Sequence, residues 1–308
     1  MGIDVVDQPA PACACLHFHY GLQCRPFFSR LLEAPQQRLA AMERQGVHHQ
    51  VLSGWVDVFG PGLDAQKGAA WHRLMNEELA AFCHADTQHF SMLASGHMRD
   101  AAGAARELQH AVRELGAVGG VVACNVDGVN LGELPLDEYW AAACELDVPV
   151  FLHPTQPMPT PRSRRYALNQ VVQYTFDTTM AVGSLVWGGV LDRFPKLRLL
   201  LSHGGGALPF LVGRFDVMHA RSPAAAGLSS AKPPSAYLHR MHYDTIVHDP
   251  QALNYLKDKV GCERIVLGTD DSFPPADEDP LGSLRKAGFT DEQVRQVAAE
   301  NPAHLFDL

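Results

Sequence analysis

Val148-Pro149-Val150-Phe151-Leu152-His153-Pro154 is an apolar run of strand length in which apolar and polar residues do not alternate. A strand wetted on one face alternates with a period of two, whereas a strand covered on both faces does not. The preceding stretch Leu136–Glu145 follows a proline and reads as a helix. The run therefore reads as a strand of a parallel sheet flanked by helices. It delivers His153 at its C-terminal end, where Pro154 stops it.

The same grammar repeats along the chain. Strands are expected at about Ala14–His19, His49–Ser53, His89–Ala94, Val118–Cys124, Val148–His153, Leu197–Ser202, His242–Thr245 and Arg264–Thr269. Helices are expected at Pro35–Gln45, Lys67–Cys83, Ala101–Leu115, Leu136–Glu145, Pro250–Val260 and Asp291–Glu300, with a broken pair over Arg164–Phe194. Eight strands alternating with helices give an α/β fold, a (β/α)8 TIM barrel in one domain spanning 1–308. A doubly wound open sheet is the competitor, but no early G-x-G-x-x-G favours it. Pro154–Arg165, with four prolines and three arginines, reads as a loop over the barrel mouth, and Ser222–Ser235 as a second loop.

Composition narrows the function. The 308 residues suit one barrel, and a hydrophobic content of 46% supports a substantial core. The net charge of −9 supplies no electrostatic reason to bind nucleic acid or an anionic membrane, so an anionic substrate would need a local positive pocket. Seven cysteines without a repeated C-x-x-C do not form a disulfide scaffold. Reduced thiols, an acidic start without a basic leader and no apolar run of about 20 residues together give the expectation of a cytoplasmic protein.

In a barrel the chemistry sits at the C-terminal strand ends. Those ends offer His17 and His19 on the first strand, His153 on the fifth, His203 after the sixth and Asp270 after the eighth. Alternate residues of a strand point to one side, so the pair in His17-Phe18-His19 can reach one ion. Singly, each residue could be an ordinary polar strand cap. Imidazoles with a carboxylate suit Zn2+, with Mn2+ as the alternative. Asp270 is the better ligand candidate than Asp271 because it leaves the strand first.

These motifs resemble the amidohydrolase superfamily, specifically the amidohydrolase-2 branch that includes aminocarboxymuconate semialdehyde decarboxylase. The resemblance rests on H-x-H at His17, His153-Pro154 after a strand, His203-Gly204-Gly205-Gly206-x-x-Pro209-Phe210-x-x-Gly213-Arg214, and Gly268-Thr269-Asp270 with a downstream Phe273-Pro274, in that order. It implies metal ligands at His17, His19, His153 and Asp270, and a catalytic histidine at His203. It also implies an arginine, Arg214, that binds a substrate carboxylate, often across a dimer interface, and hence a homodimer or higher homo-oligomer. Cys15 departs from the family's D-x-H-x-H, which alters the support behind the histidine pair. Some relatives that decarboxylate aromatic acids replace that pair with Glu and Ala; this chain keeps both histidines.

The resemblance implies non-oxidative decarboxylation of a small unsaturated or aromatic carboxylic acid. His203 is the expected general base, and Asp270 both a ligand and a proton-exchanging group. Trp55, Phe273 and Phe18 are candidate pocket walls, and Arg162, Arg164 and Arg165 a solvated basic run. Hydrolysis of a lactone or related cyclic ester, or hydration, would use the same site. A non-catalytic metal-binding barrel is the remaining alternative.

Overall fold

Proline has no N–H to lose and a φ preset for a helical start, and the first helix, α1 (Pro35–Gln45), begins on Pro35 and ends where Gly46 turns left-handed at φ 68°. The structure is a computed structural model that describes residues 3–6, 15–19, 23–24, 29–155, 162–221 and 227–308. The expectations for Ala14, for 156–161 and for 222–226 lie outside the described residues.

The strands in chain order are β1 (Ile3–Val6), β2 (Cys15–Phe18), β3 (Gln23–Cys24), β4 (Gln50–Ser53), β5 (Phe90–Ala94), β6 (Gly119–Ala123), β7 (Asn125–Val126), β8 (Val129–Asn130), β9 (Val150–His153), β10 (Leu199–Leu201), β11 (Met241–Asp244) and β12 (Ile265–Val266). The remaining helices are α2 (Ala65–His84), α3 (Ala101–Glu114), α4 (Asp137–Glu145), α5 (Tyr174–Trp187), α6 (Val190–Arg193), α7 (Leu208–Arg221), α8 (Pro250–Val260), α9 (Pro280–Lys286), α10 (Asp291–Arg295) and α11 (Asn301–Phe306). Seven strands form one parallel sheet in the order β4-β5-β6-β9-β10-β11-β12.

Alternate residues of this sheet serve two separate apolar layers. Val122, Leu152, Leu199 and Leu201 pack outward in the large core with helical residues such as Leu108 and Trp140. Val121, Leu200 and Val266 pack on the other face with Phe151, Leu305 and Phe306. Burial on both faces is why these strands show no alternation, and each fully buried leucine contributes about 1.5–3 kcal/mol. Leu305 and Phe306 come from α11, which supplies apolar side chains to that inner layer.

The first expected strand differs. β2 pairs antiparallel with β1 and β3 in a three-stranded sheet of its own, with His17 opposite Asp4 and Gln23. The stretch Ile3-Asp4-Val5-Val6, β-branched at three of its four positions, supplies a nearby hydrogen-bonding partner, and an apolar run does not itself encode which strand it will pair with. The architecture is thus α/β with a seven-stranded parallel sheet, and an eighth parallel strand is not among the described residues. α7 and α9 were not expected from sequence, whereas the break over Arg164–Phe194 falls at Gly189, where φ is 69°. The helix expected over Asp291–Glu300 is α10 followed by a π-turn at Gln296–Glu300, which runs on into α11.

Candidate metal and active site

The parallel register brings three side chains together at one edge of the sheet. β9 ends on His153, the turn after β10 begins with His203, and Asp270 follows β12. One ligand atom from each lies within 4.8 Å of the others. The His153 and His203 rings are 5.2 Å apart at 62°. His153 donates from Nδ1 to the Pro154 carbonyl at 2.7 Å, which fixes its tautomer and leaves Nε2 with a lone pair. Nδ1 of His203 is buried without a partner.

Backbone conformation aims these groups. His203 and Asp270 both take positive φ, 54° and 48°. Gly206, at φ 63°, sits where a Cβ would run into the Thr175 carbonyl of α5. Glycine is therefore required for the turn to pack against the protein itself, rather than only for the backbone to approach a substrate. Asp244, at the end of β11, accepts from the Gly204 N–H at 2.8 Å and the Ile246 N–H at 3.1 Å, which ties this turn to its neighbour.

Electrostatically the group lacks positive charge. Burial lowers His153 to about 3, aided by the neighbouring His203, and burial lowers His203 to about 4, aided by His248. Burial, reinforced by Asp244 and Asp271, raises Asp270 to about 7. Two neutral imidazoles beside crowded carboxylates make a donor set that a divalent cation would satisfy.

The other expected site residues are distributed as follows. Trp55 and Phe273 stack edge to face at 5.9 Å and line the same cavity as the His/His/Asp group. Phe18 also lines it and packs against Trp71 at 5.7 Å. His17 is half-buried, with Nε2 buried and unpartnered, and His19 is exposed; neither belongs to the His153–His203–Asp270 group. Arg214 is exposed on α7 and is not part of the cavity wall. The cavity measures about 2430 Å³, above the usual range of about 300–1,000 Å³. It is large because its lining continues from the mouth along β4 to Pro302 and Phe306.

Sequence reasoning missed Asp244, Asp57, Tyr174 and His248, all of which line this cavity. Asp57 accepts from the Thr155 hydroxyl at 3.0 Å and the Tyr174 hydroxyl at 3.5 Å. Asp244 was within reach of the strand-end rule, because it lies in the expected strand His242–Thr245. Asp57 and Tyr174 carry no such signal, since a short 3-10 turn (Val56–Val58) and the start of α5 bring them together.

Among the described residues, no helix is long and apolar enough to cross a membrane. The chain is similar to the 2-amino-3-carboxymuconate-6-semialdehyde decarboxylase of Dictyostelium discoideum, 30% identical over 240 residues that cover 78% of this chain and 67% of that protein. It is similar to the gamma-resorcylate decarboxylase of Polaromonas sp. strain JS666, 27% identical over 292 residues, 91% of this chain and 89% of that one. Its fold matches the crystal structure of 5-carboxyvanillate decarboxylase from Sphingomonas paucimobilis with a TM-score of 0.82 at 26% identity, covering 90% of this chain and 84% of the other. The amidohydrolase family profile matches residues 33–308, and the chain belongs to that family.

Proposed function

We propose that this protein is a metal-dependent decarboxylase that removes carbon dioxide, without oxidation, from a small unsaturated or aromatic carboxylic acid. The observation that carries the reading is the His153–His203–Asp270 group opening into a cavity walled by Trp55 and Phe273. Similarity to decarboxylases along most of the chain supports it.

The donor set fits a divalent metal, with Zn2+ preferred on ligand type and Mn2+ as the alternative. His153 and Asp270 would hold it, joined by His17 and His19 when β2, with His19 just after it, closes the sheet into an eight-stranded barrel. The buried, unpartnered Nε2 of His17 and the place of Phe18 in the cavity wall support that closure. The metal would supply Lewis acidity and orient the substrate.

This chain's residues do the rest. Trp55 and Phe273 hold a planar substrate, and His203, uncharged at neutral pH, accepts a proton at Nδ1. Protonation of the substrate carbon that bears the carboxylate comes from the acid held at His203 or Asp270. The bond to the carboxylate then breaks, its electron pair returns to the π system that took up the proton, and carbon dioxide leaves. Arg214 binds the substrate carboxylate from a second copy of the chain, a role consistent with its exposure one turn after Phe210, which is 80% exposed. The enzyme is read as a single 1–308 domain, a homodimer or larger, working in the cytoplasm on a small carboxylate.

Hydrolysis of a lactone or a hydration is the second reading, because the same group can activate water. Product analysis with the metal-loaded protein and a panel of aromatic and unsaturated acids and lactones separates them. Carbon dioxide release is the expected result. Ring opening with all carbon retained would replace decarboxylation by hydrolysis, and no turnover of any panel member would count against both. Mixing inactive Arg214→Ala and His203→Asn proteins tests the shared site: partial activity returns if Arg214 serves its neighbour.

A further inference from the structure

Gly268-Thr269-Asp270-Asp271-Ser272 carries two carboxylates in succession that both line the cavity, yet only Asp270 joins His153 and His203 within 4.8 Å. We propose that Arg30 and Arg38 decide between them: by clamping Asp271 they leave Asp270 as the carboxylate that serves the metal. The proposal rests on the reading of Asp270 as a metal ligand given above.

The clamp uses both oxygens of Asp271. Arg30 Nη2 lies 2.8 Å from Oδ1 and Arg38 Nη1 lies 3.0 Å from Oδ2. The Asp271 side chain is 8% exposed and that of Arg38 10%, so water competes little for these charge-assisted bonds. Both arginines are held from behind. Arg38 Nη2 donates to the Arg30 carbonyl at 3.3 Å, its guanidinium lies 5.9 Å from the Phe82 ring centre, and Arg30 Nε faces Glu33 at 3.5 Å. Turning Asp271 toward the metal would break two ion pairs and leave Arg38 buried without a counter-charge.

The backbone makes a choice between the two necessary. Asp270 and Ser272 both have positive φ, 48° and 76°, so Asp271 sits between two residues in the left-handed region. A segment held there persists only if its surroundings fix it, and a different local turn would exchange the directions of the two carboxylates. The fixing contacts come from about 230 to 240 residues away in sequence, at the other end of the chain. Arg30 and Arg38 are therefore positioning residues, acting on the metal through Asp271 and its neighbour.

The test is Zn2+ affinity of the metal-free full-length protein, measured against a chromogenic chelator, with melting curves to confirm folding. In the native background Asp270→Asn should weaken Zn2+ by about 100-fold and Asp271→Asn by less than about threefold. With Arg30→Met and Arg38→Met together, Asp271 is released to substitute, and the contrast between the two Asn variants should fall below about tenfold. Arg30→Met alone, at the more exposed position, should move the contrast the same way by less, and it serves if the double variant does not fold. An unchanged contrast in folded arginine variants overturns the proposal and leaves a structural salt bridge. No effect of Asp270→Asn in the native background overturns the ligand reading itself, and the proposal with it.

Discussion

At the scale of single residues, His203 and Gly206 separate chemistry from architecture. His203→Asn keeps a polar side chain of similar reach but cannot hold a proton at neutral pH. It should retain most of the bound metal while turnover falls by about 100-fold or more, read by metal analysis beside a rate assay. Stoichiometric metal loss would instead make His203 chiefly a ligand. Gly206→Ala should cost about 3 kcal/mol in urea unfolding, because the new methyl meets the Thr175 carbonyl at a φ of 63° and ψ of −129°. Much of this scale was legible: His153, His203 and Asp270 announce themselves as ligand types leaving apolar runs. What the chain could not announce is which partner faces each one. Asp57 meets Tyr174 only because the folded chain closes 117 residues of separation.

At the scale of elements, packing between helices is carried by a few buried polar groups as well as by apolar faces. Glu107 on α3, 8% exposed, receives the Arg73 guanidinium through Nε at 3.0 and 3.1 Å and the Asn76 amide at 2.9 Å, both from α2. Glu107→Ala should lower stability by about 1–2 kcal/mol, because it leaves one N–H of the buried Asn76 amide, whose nitrogen otherwise donates to the Ser95 carbonyl, without an acceptor, while the 40%-exposed Arg73 side chain turns to water. Glu107→Gln, which keeps an acceptor for Asn76, should lose less; equal losses in chemical denaturation would place the effect in packing rather than in the network. The strands of the parallel sheet were readable to within two residues, except that β12 stops at Val266, three residues before the expected Thr269, because burial on both faces writes itself as an unbroken apolar run. The partner of β2 was not, since strand pairing is a non-local choice and β1 stands ready to make it. α7 escaped for a related reason: Phe210, Val217 and Met218 are exposed on it, which blurs the amphipathic stripe that marks a helix.

At the scale of the whole molecule, the sixteen histidines look alike in the sequence, and only the fold sorts them. His72 on α2 is buried, donor or acceptor to the Ser95 hydroxyl at 2.8 Å, and lowered to about 3 by burial and then by nearby His97. His242 on β11 is lowered to about 4 by burial and then by Arg264 and Arg198. Both are neutral in the folded state and ordinary when unfolded, so above pH 6.5 they contribute nothing to the pH dependence. As pH falls below 6.5 the unfolded chain takes up protons that the folded one refuses, and stability is lost down toward the folded values. Asp177 and Asp270 act in the opposite sense, since burial raises them and folding then favours their protonated forms as pH falls. Comparing variants cancels those opposing contributions. Denaturant unfolding of the metal-free protein at pH 7 and pH 5 should show His72→Gln losing about 2 kcal/mol less over that interval than the native chain, the free energy of one proton taken up only by the unfolded state. An equal or larger loss in the variant would mean that His72 is protonated inside the fold, with its buried charge met by a partner other than Ser95.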